Sequence, residues 1–190
     1  MTERAALLPQ HARSDSASVR RAALVRKLRP LLVAGGGIAL LAFTFIVSPQ
    51  PHLVWNASAS APLGLYAVHP GALPTRGDMV IAWPPRQARA LAAARHYLPA
   101  NVPLVKRVVA LSGDRVCAVG RSIEINGRHA ATRLERDSIG RPLPSWQGCR
   151  TLAHGALFLL MDSPGSFDGR YFGLSKAIDL IGKATPLWLR

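Results

Sequence analysis

Patterns for binding metals and nucleic acids are missing from this sequence. It has only two cysteines, Cys117 and Cys149, and no histidine pair stands near them at zinc-ligand spacing. We therefore expect no metal and no cofactor. A net charge of +14 would, in a soluble protein, first suggest nucleic acid. Because the basic residues form no Lys/Arg-rich block, zinc-finger spacing or helix-turn-helix pattern, we expect no nucleic-acid partner.

Charged side chains are also missing from residues 30–75. Within that stretch, residues 31–47 are continuously apolar and reach the short end of the length that spans a bilayer. Residues 1–29 contain more basic than acidic residues, which favours a cytoplasmic amino terminus. The sequence predicts a basic cytoplasmic tail (1–29), a single transmembrane anchor in the inner membrane (30–48) and a periplasmic domain (49–190).

A cleaved signal peptide is the alternative to a retained anchor, since a basic region before an apolar run fits both. The small-residue sites that could be cut, at residues 57–61, lie well beyond the apolar run. A retained anchor therefore fits better.

The excess positive charge of the exported part would then attract the anionic head groups of the lipid bilayer, or an acidic substrate tail.

The exported part is predicted to be mostly β, with several short strands and few helices. Strands are expected at 79–83, 104–110, 156–161 and within 177–189, and a helix at 86–98. Val119-Gly120 and Asn126-Gly127 predict two consecutive hairpin turns. Residues 131–150 are polar and contain proline, which indicates a surface excursion, and residues 162–173 indicate a loop.

Ser60 and Lys106 stand in the settings that a Ser-Lys hydrolase needs. A serine hydroxyl is a weak nucleophile, and a neutral lysine amine can take its proton where no histidine is present. Strand alternation places Lys106 on the same face as Leu104, Val108 and Ala110, where burial lowers a lysine pKa. The alternative for Lys106 alone is a strand-end lysine whose amine reaches water.

Three segments, in order, resemble the type I signal peptidase clan of Ser-Lys membrane proteases, and most closely its TraF-type conjugative-transfer peptidases, which mature pilin precursors. The resemblance runs from about Trp55 to Trp188. The nucleophile segment is matched by Asn56, Ser58, Ser60, Pro62, Gly64, Leu65 and Tyr66. The lysine segment is matched by Pro103, Leu104, Lys106, Arg107, Val108, Ala110, Gly113, Asp114 and Val116. The third segment is matched within residues 166–173.

The resemblance implies a signal-peptidase-like β fold and a role for each matched polar residue. Ser60 is the implied nucleophile and Lys106 the implied general base. The Ser60 backbone N–H and the Ser58 hydroxyl would bind the oxyanion, and Ser166 would orient the lysine amine. Asp168 and Arg170 would pair and fix their loop. For Ser58 the alternative is an ordinary loop serine. For Asp168 and Arg170 the alternative is a purely structural ion pair, which coincides with the role that the resemblance implies.

This sequence departs from the family pattern at three places. Gly169 replaces a serine found in many relatives, Ala61 replaces the methionine common after the nucleophile, and Met161-Asp162 replaces a glycine-aspartate pair. The departures at Gly169 and Met161-Asp162 favour the TraF-type branch over a general signal peptidase, whereas Ala61 bears on how the S1 region packs.

We expect a membrane-anchored serine endopeptidase that processes a membrane-inserted pilin precursor for a conjugative secretion system. The resemblance implies that some pilins are also cyclised. A general signal peptidase is the nearest alternative. A catalytically silent assembly factor is the alternative from another class. Cys117 and Cys149 lie in the exported part, where a disulfide can form, but the sequence leaves their bonding open.

Overall fold

The structure is a computed structural model that describes residues 14–46 and 50–190. Residues 1–13 of the predicted tail and residues 47 and 48 of the predicted anchor lie outside the described residues. The chain divides into two compact units after residue 49. In the first unit, helix α1 spans Ser14–Ile46, so that Pro30 lies inside the helix and not at its start. No helix in the described ranges is both long and apolar enough to cross a bilayer, and the anchor stays a prediction.

The second unit contains a seven-stranded antiparallel sheet in the order β1-β2-β11-β3-β4-β9-β10. Its strands are β1 (Leu53–Asn56), β2 (Gly64–His69), β3 (Met79–Ala82), β4 (Leu104–Ala110), β9 (Ala156–Leu160), β10 (Ser175–Lys176) and β11 (Leu180–Leu189). The central strands β3, β4 and β9 are almost wholly buried because they are rich in valine, leucine and isoleucine. This sheet carries the serine and lysine segments.

A smaller sheet of four antiparallel strands has the order β7-β6-β5-β8. Its strands are β5 (Arg115–Val119), β6 (Ser122–Ile125), β7 (Arg128–Thr132) and β8 (Gly148–Thr151). The predicted turn at Asn126-Gly127 is confirmed, whereas the first hairpin turns at Gly120-Arg121, one position later than predicted, because Val119 still pairs with Ser122. Asn126 and Gly127 have φ values of 51° and 76°, which is the backbone twist that a tight two-residue hairpin turn requires.

One cluster of buried apolar side chains joins the two sheets. Val116, Ala118 and Ile123 of the smaller sheet pack with Phe158 and Leu160 of β9. Such burial contributes about 25 cal/mol for each Å² of apolar surface removed from water. The two sheets therefore share one interior, and the expectation of a mostly β domain with few helices is confirmed.

The helices of the second unit differ from the sequence prediction. Helix α2 spans Arg86–Ala94 and ends before residue 98, because His96 adopts a φ of 59° that no helix accommodates. The loop 162–173 contains a one-turn helix, α3 (Gly169–Phe172), and a 3₁₀ turn spans Ala177–Asp179. Strand β8 was not predicted, and residues 131–150 are therefore only partly a surface excursion.

Candidate active site

Ser60 lies in the loop that connects β1 and β2, and the buried side chain of Asn56 shapes this loop. The Asn56 Nδ2 donates to the carbonyl oxygens of Ser58 at 3.0 Å and of Ala61 at 3.1 Å, and its Oδ1 accepts from the Ser58 N–H at 3.1 Å. Asn56 is 5% exposed. These hydrogen bonds fix the shape of the loop, and they therefore hold Ser60 in place between the end of β1 and the start of β2.

Ser58 and Ser60 lie side by side in this loop. Their Oγ atoms are 2.9 Å apart, and the Ser60 N–H donates to the Ser58 Oγ at 3.4 Å. The two groups expected to bind the oxyanion are thus adjacent, and in this structure they are hydrogen-bonded to each other. A carbonyl oxygen would replace these contacts when it enters.

Lys106 enters the site from β4, with Leu104 and Val108 on the same buried face. The lysine is 1% exposed, which confirms the burial expected from strand alternation. Its Nζ lies 3.0 Å from the Ser60 Oγ, at hydrogen-bond distance. Its neighbour Arg107 faces the other way and pairs with the exposed Asp162 at 2.9 Å.

Burial lowers the pKa of Lys106 to about 8, because the ammonium loses its hydration. The negative charge of Asp168 opposes this shift, and the positive charge of Arg170 adds to it. A lysine with this pKa is neutral in an appreciable fraction of molecules near neutral pH. It can therefore accept a proton from a hydroxyl at the distance observed.

Ser166 completes a chain of hydrogen bonds through the lysine. The Lys106 Nζ donates to the Ser166 Oγ at 2.7 Å, and Ser166 is 1% exposed. Two hydroxyl oxygens therefore fix the position of the amine nitrogen. The structure thus brings together Ser58, Ser60, Lys106 and Ser166, all four in one hydrogen-bonded row.

Asp168 and Arg170 form a buried ion pair beside this row. The Arg170 Nε donates to the Asp168 Oδ1 at 2.9 Å and its Nη2 to Oδ2 at 3.0 Å. The same carboxylate accepts the Met161 N–H at 3.0 Å, and Arg170 Nη2 also donates to the Met161 carbonyl oxygen. The pair fastens the end of β9 to α3, and it influences Lys106 through its charges without touching it.

Two departures from the family pattern have a packing explanation. A Cβ atom at Gly169 would come within 2.8 Å of the Leu159 carbonyl oxygen and of the Phe158 ring, so a serine does not fit there. Ala61 is buried in the cluster that contains Tyr66 and Val68, where the longer methionine would need space. Both positions are adapted to the local packing of this chain.

A cleft of about 880 Å³ lies beside this hydrogen-bonded row, and Ser58, Ser60 and Lys106 form part of its lining. Most of the lining is apolar, and its side chains come from β1, the segment after α2, β4 and the loops around residues 134–143 and 163–171. Its larger apolar members are Val54, Trp55, Leu98, Val102, Leu104, Val105, Leu134, Leu143 and Phe167. A cleft of this size and character suits an extended peptide with small or apolar side chains.

Cys117 and Cys149 form a disulfide, which answers the question that the sequence left open. They are directly opposite each other on β5 and β8 of the smaller sheet, and neither lines the cleft. Within the described ranges, no cluster of three or more His, Cys, Asp or Glu side chains is placed to hold a metal ion.

Sequence reasoning assigned no role to Asn56, although its four hydrogen bonds to main-chain groups shape the loop that carries Ser60. A polar residue that ends the apolar strand LVW, directly before the serines, was the available signal. The contact of Tyr97 with Asp137 at the cleft was also missed, because these residues are 40 positions apart.

Residues 25–189 match the sequence model of the family Peptidase_S26, described as "Signal peptidase, peptidase S26". A "Probable conjugal transfer protein TraF" of Sinorhizobium fredii (strain NBRC 101917 / NGR234) is 35% identical over 142 residues, 68% of this chain and 73% of the relative. A "Conjugal transfer protein TraF" of Agrobacterium fabrum (strain C58 / ATCC 33970) is 36% identical over 143 residues, 70% of this chain and 80% of the relative.

A "Plasmid transfer protein TraF" of Escherichia coli is 32% identical over 177 residues, which cover 85% of this chain and 96% of the relative. Among solved structures, a signal peptidase I from Enterococcus faecalis V583 is similar with 23% identity and a TM-score of 0.36. The similarity covers 60% of this chain and 98% of that protein.

Proposed function

The chain belongs to the signal peptidase family S26, as a TraF-type member, and on that premise we propose that it is a serine endopeptidase with a Ser60–Lys106 dyad. The observation that carries the proposal is the position of the buried Lys106 amine, 3.0 Å from the Ser60 hydroxyl and 2.7 Å from that of Ser166. Burial at this place also lowers the pKa of the amine to about 8, so that part of the lysine is neutral and able to accept a proton.

The chemistry follows from this geometry. The Ser60 Oγ attacks the scissile carbonyl carbon while its proton moves to the neutral Lys106 amine. The Ser60 N–H and the Ser58 hydroxyl stabilise the negative oxygen, which is worth about 3 kcal/mol for each donor. The C–N bond then breaks, and the lysine returns the proton to the departing amine. Water, or an amine of the same peptide, attacks the acyl-enzyme and releases the product.

The substrate that we propose is a membrane-inserted pilin precursor of a conjugative transfer system. The support is the names of the relatives, which describe conjugal or plasmid transfer proteins. If the amino terminus of the precursor attacks the acyl-enzyme, the product is a cyclic peptide. Trimming without ring closure is the alternative outcome at the same site.

We further propose that residues 30–48 anchor the enzyme in the inner membrane and that the cleft faces the periplasm. The apolar run and the basic residues before it support this orientation. In the second unit, the exposed Trp55 and Trp188 rings lie 5.6 Å apart, and exposed tryptophans are common where proteins meet the bilayer surface.

The test is the intact mass of a candidate pilin precursor after co-expression with the full-length protein. We expect trimming with the wild type and none with Ser60→Ala or Lys106→Ala. Ser145→Ala and Lys176→Ala are matched controls, because both residues are exposed and neither lines the cleft. A product one water lighter than the trimmed linear chain would demonstrate cyclisation.

The alternatives give different results in the same experiment. Cleavage of ordinary leader peptides, but not of pilin precursors, would support a general signal peptidase. Unchanged pilin processing and transfer with Ser60→Ala and Lys106→Ala, both expressed normally, would contradict the enzyme and support a catalytically silent assembly factor. Salt-dependent DNA binding by residues 48–190 would indicate a nucleic-acid partner, which we do not expect.

A further inference from the structure

Arg136 is a charged residue on the wall of an otherwise mostly apolar cleft. It belongs to the segment between β7 and β8, whose residues 134–143 form part of the lining. Arg136 forms an isolated β-bridge with Pro142, and the Leu143 N–H donates to the Glu135 carbonyl oxygen at 2.8 Å. These contacts fold residues 135–143 into a small hairpin, here called the cleft hairpin.

Asp137 fixes the turn of the cleft hairpin. Its carboxylate accepts from the Arg141 N–H at 2.8 Å and from the Arg141 Nε at 2.6 Å. It also accepts from the Tyr97 hydroxyl at 2.6 Å, a contact with the segment that follows α2. Together these hydrogen bonds hold the pKa of Asp137 well below its usual range. The Asp137 carboxylate is therefore committed to the cleft hairpin and to Tyr97, because each of its two oxygens already accepts hydrogen bonds from them.

Further contacts hold the cleft hairpin against the rest of the fold. The Arg95 Nη1 donates to the Pro142 carbonyl oxygen at 2.7 Å, and Arg141 Nη2 donates back to the Arg95 carbonyl oxygen at 3.2 Å. At its base, the Leu134 N–H donates to the Tyr171 hydroxyl at 3.1 Å. Arg136 is thus carried on a fixed platform.

The guanidinium of Arg136 is only partly engaged. Its Nη1 donates to the Gly140 carbonyl oxygen at 2.7 Å. Among the described residues, no carboxylate lies within ion-pair distance of it. The other charged residues on the lining are Lys106, which is buried, and Asp137, which is committed as described. The remaining N–H groups of Arg136 are therefore available to a ligand in the cleft.

We propose that Arg136 is a specificity-determining residue that pairs with a carboxylate of the polypeptide substrate. This inference rests on the proposed function, because it assumes that a peptide occupies the cleft. The carboxylate belongs either to an aspartate or glutamate side chain or to the carboxyl terminus of the substrate. Both sources present the same planar group, which the guanidinium can bind through two parallel hydrogen bonds.

The physical gain comes from the fixed platform. Arg136 is exposed, so water competes for its guanidinium. Its hydrogen bond to Gly140 and the fixed platform nevertheless orient it in advance, and a cation that is already held in place loses less freedom when a carboxylate binds. A charge-assisted hydrogen bond of this kind changes an equilibrium or a rate constant by about tenfold or more. A substrate with a carboxylate at the right distance from the scissile bond should therefore be preferred by about that factor.

The test uses the full-length enzyme in detergent with a synthetic library of short peptides of randomised sequence, prepared once with free and once with amidated carboxyl termini. Mass spectrometry identifies each cleaved bond. We expect the wild type to select an acidic residue at one fixed position from that bond, or a free terminus at one fixed distance. The two preparations distinguish a side-chain carboxylate from a terminal one.

The variants then assign the selection to Arg136. Arg136→Gln should lose the acidic preference, with a roughly tenfold lower kcat/KM on the selected peptide and an unchanged value on its Glu→Gln or amidated form. Arg136→Glu should select lysine or arginine instead. Arg128→Gln, at an exposed arginine of β7 outside the lining, should behave as the wild type.

The possible failures can be told apart. Cleavage of the library by the wild type without any acidic preference would overturn the role of Arg136 and leave the peptidase intact. A preference that persists in both Arg136 variants would also overturn it. If no peptide is cleaved by the wild type, the proposed function itself fails and this inference fails with it.

Discussion

Within the strands of the four-stranded sheet the buried side chains are apolar, with Val116, Ala118 and Ile123 almost fully enclosed, and the buried Arg133 follows only after β7. The seven-stranded sheet instead buries Lys106, and Asp168 next to it, beside its apolar core. A disulfide links β5 to β8 of the smaller sheet, whereas buried polar groups join the larger sheet to the segment around α3 by hydrogen bonds. Burying such groups opposes folding unless every one finds a partner.

Under the proposed mechanism, this difference is where the chain gives up stability for chemistry. The hydrogen bonds among Ser58, Ser60, Lys106 and Ser166 hold reactive groups in one geometry. An apolar interior of the same shape would be at least as stable. We expect substitutions in the larger sheet to separate activity from stability, and those in the smaller sheet to change stability alone.

The largest expected effect comes from Lys106→Met, which has a similar length but no amine. Without a base, peptide cleavage should fall by about ten-thousandfold. The free energy of unfolding should rise by about 1–3 kcal/mol, because no ammonium has to be buried. Peptide hydrolysis and urea unfolding of the same sample measure the two effects. A variant that lost stability instead would show that the lysine is needed for the fold.

The next effect concerns the ion pair beside the dyad. Asp168→Ala leaves Arg170 buried without its carboxylate, which should lower the free energy of unfolding by about 3–5 kcal/mol. The matched control is Asp162→Ala, which removes the exposed partner of Arg107 and should cost less than about 1 kcal/mol. Equal costs for the two variants in urea unfolding would contradict the structural role assigned to the buried pair.

The smaller sheet offers the complementary test. Replacing both Cys117 and Cys149 with serine should lower the free energy of unfolding by about 2–4 kcal/mol. Because the disulfide does not line the cleft, kcat/KM per folded molecule should stay unchanged. Activity should be measured where the variant is still folded by circular dichroism. A large loss of activity in folded protein would mean that the two sheets are coupled at the site.

A smaller effect is expected from Ser166→Ala. The variant removes one of the two hydroxyls that position the Lys106 amine, so kcat should fall by about tenfold to a hundredfold. KM should change little, since Ser166 is buried behind the lysine and does not line the cleft. A rise in KM with an unchanged kcat would place Ser166 in substrate binding instead.

The reach of sequence reasoning depended on whether the signal was local. The turn at Asn126-Gly127 and the buried strand β9 follow from residue preferences within a few positions, and both were predicted. The early end of α2 was not predicted, because the backbone turns at His96 and brings Tyr97 to Asp137, 40 positions away in the sequence. Strand β8 is exposed along its whole length and lacks the alternation that marks a half-buried strand.

At the site, the residue types were predictable and the geometry was not. Alternation along β4 indicated that Lys106 is buried, and the ordered motifs indicated which serines would meet it. That Ser166 lies 2.7 Å from the amine depends on how α3 and the end of β9 are fastened by Asp168 and Arg170. The cleft hairpin depends on contacts between distant segments in the same way.

The most direct test of the central claim is a titration of the Lys106 amine, followed by nitrogen NMR on protein with labelled lysines, alongside kcat/KM from the same samples. The chain has four lysines, and Lys106→Met identifies the signal. We expect Lys106 to titrate with a pKa of about 8. Under the proposed mechanism the neutral amine is the base, so kcat/KM should rise about tenfold per pH unit below that value and level off above it. The unfolded chain holds this proton up to the ordinary lysine range, so stability should also rise with pH from about 8 to 10.5. A lysine that titrates with the exposed ones, or an activity whose pKa differs from that of Lys106, would contradict the account.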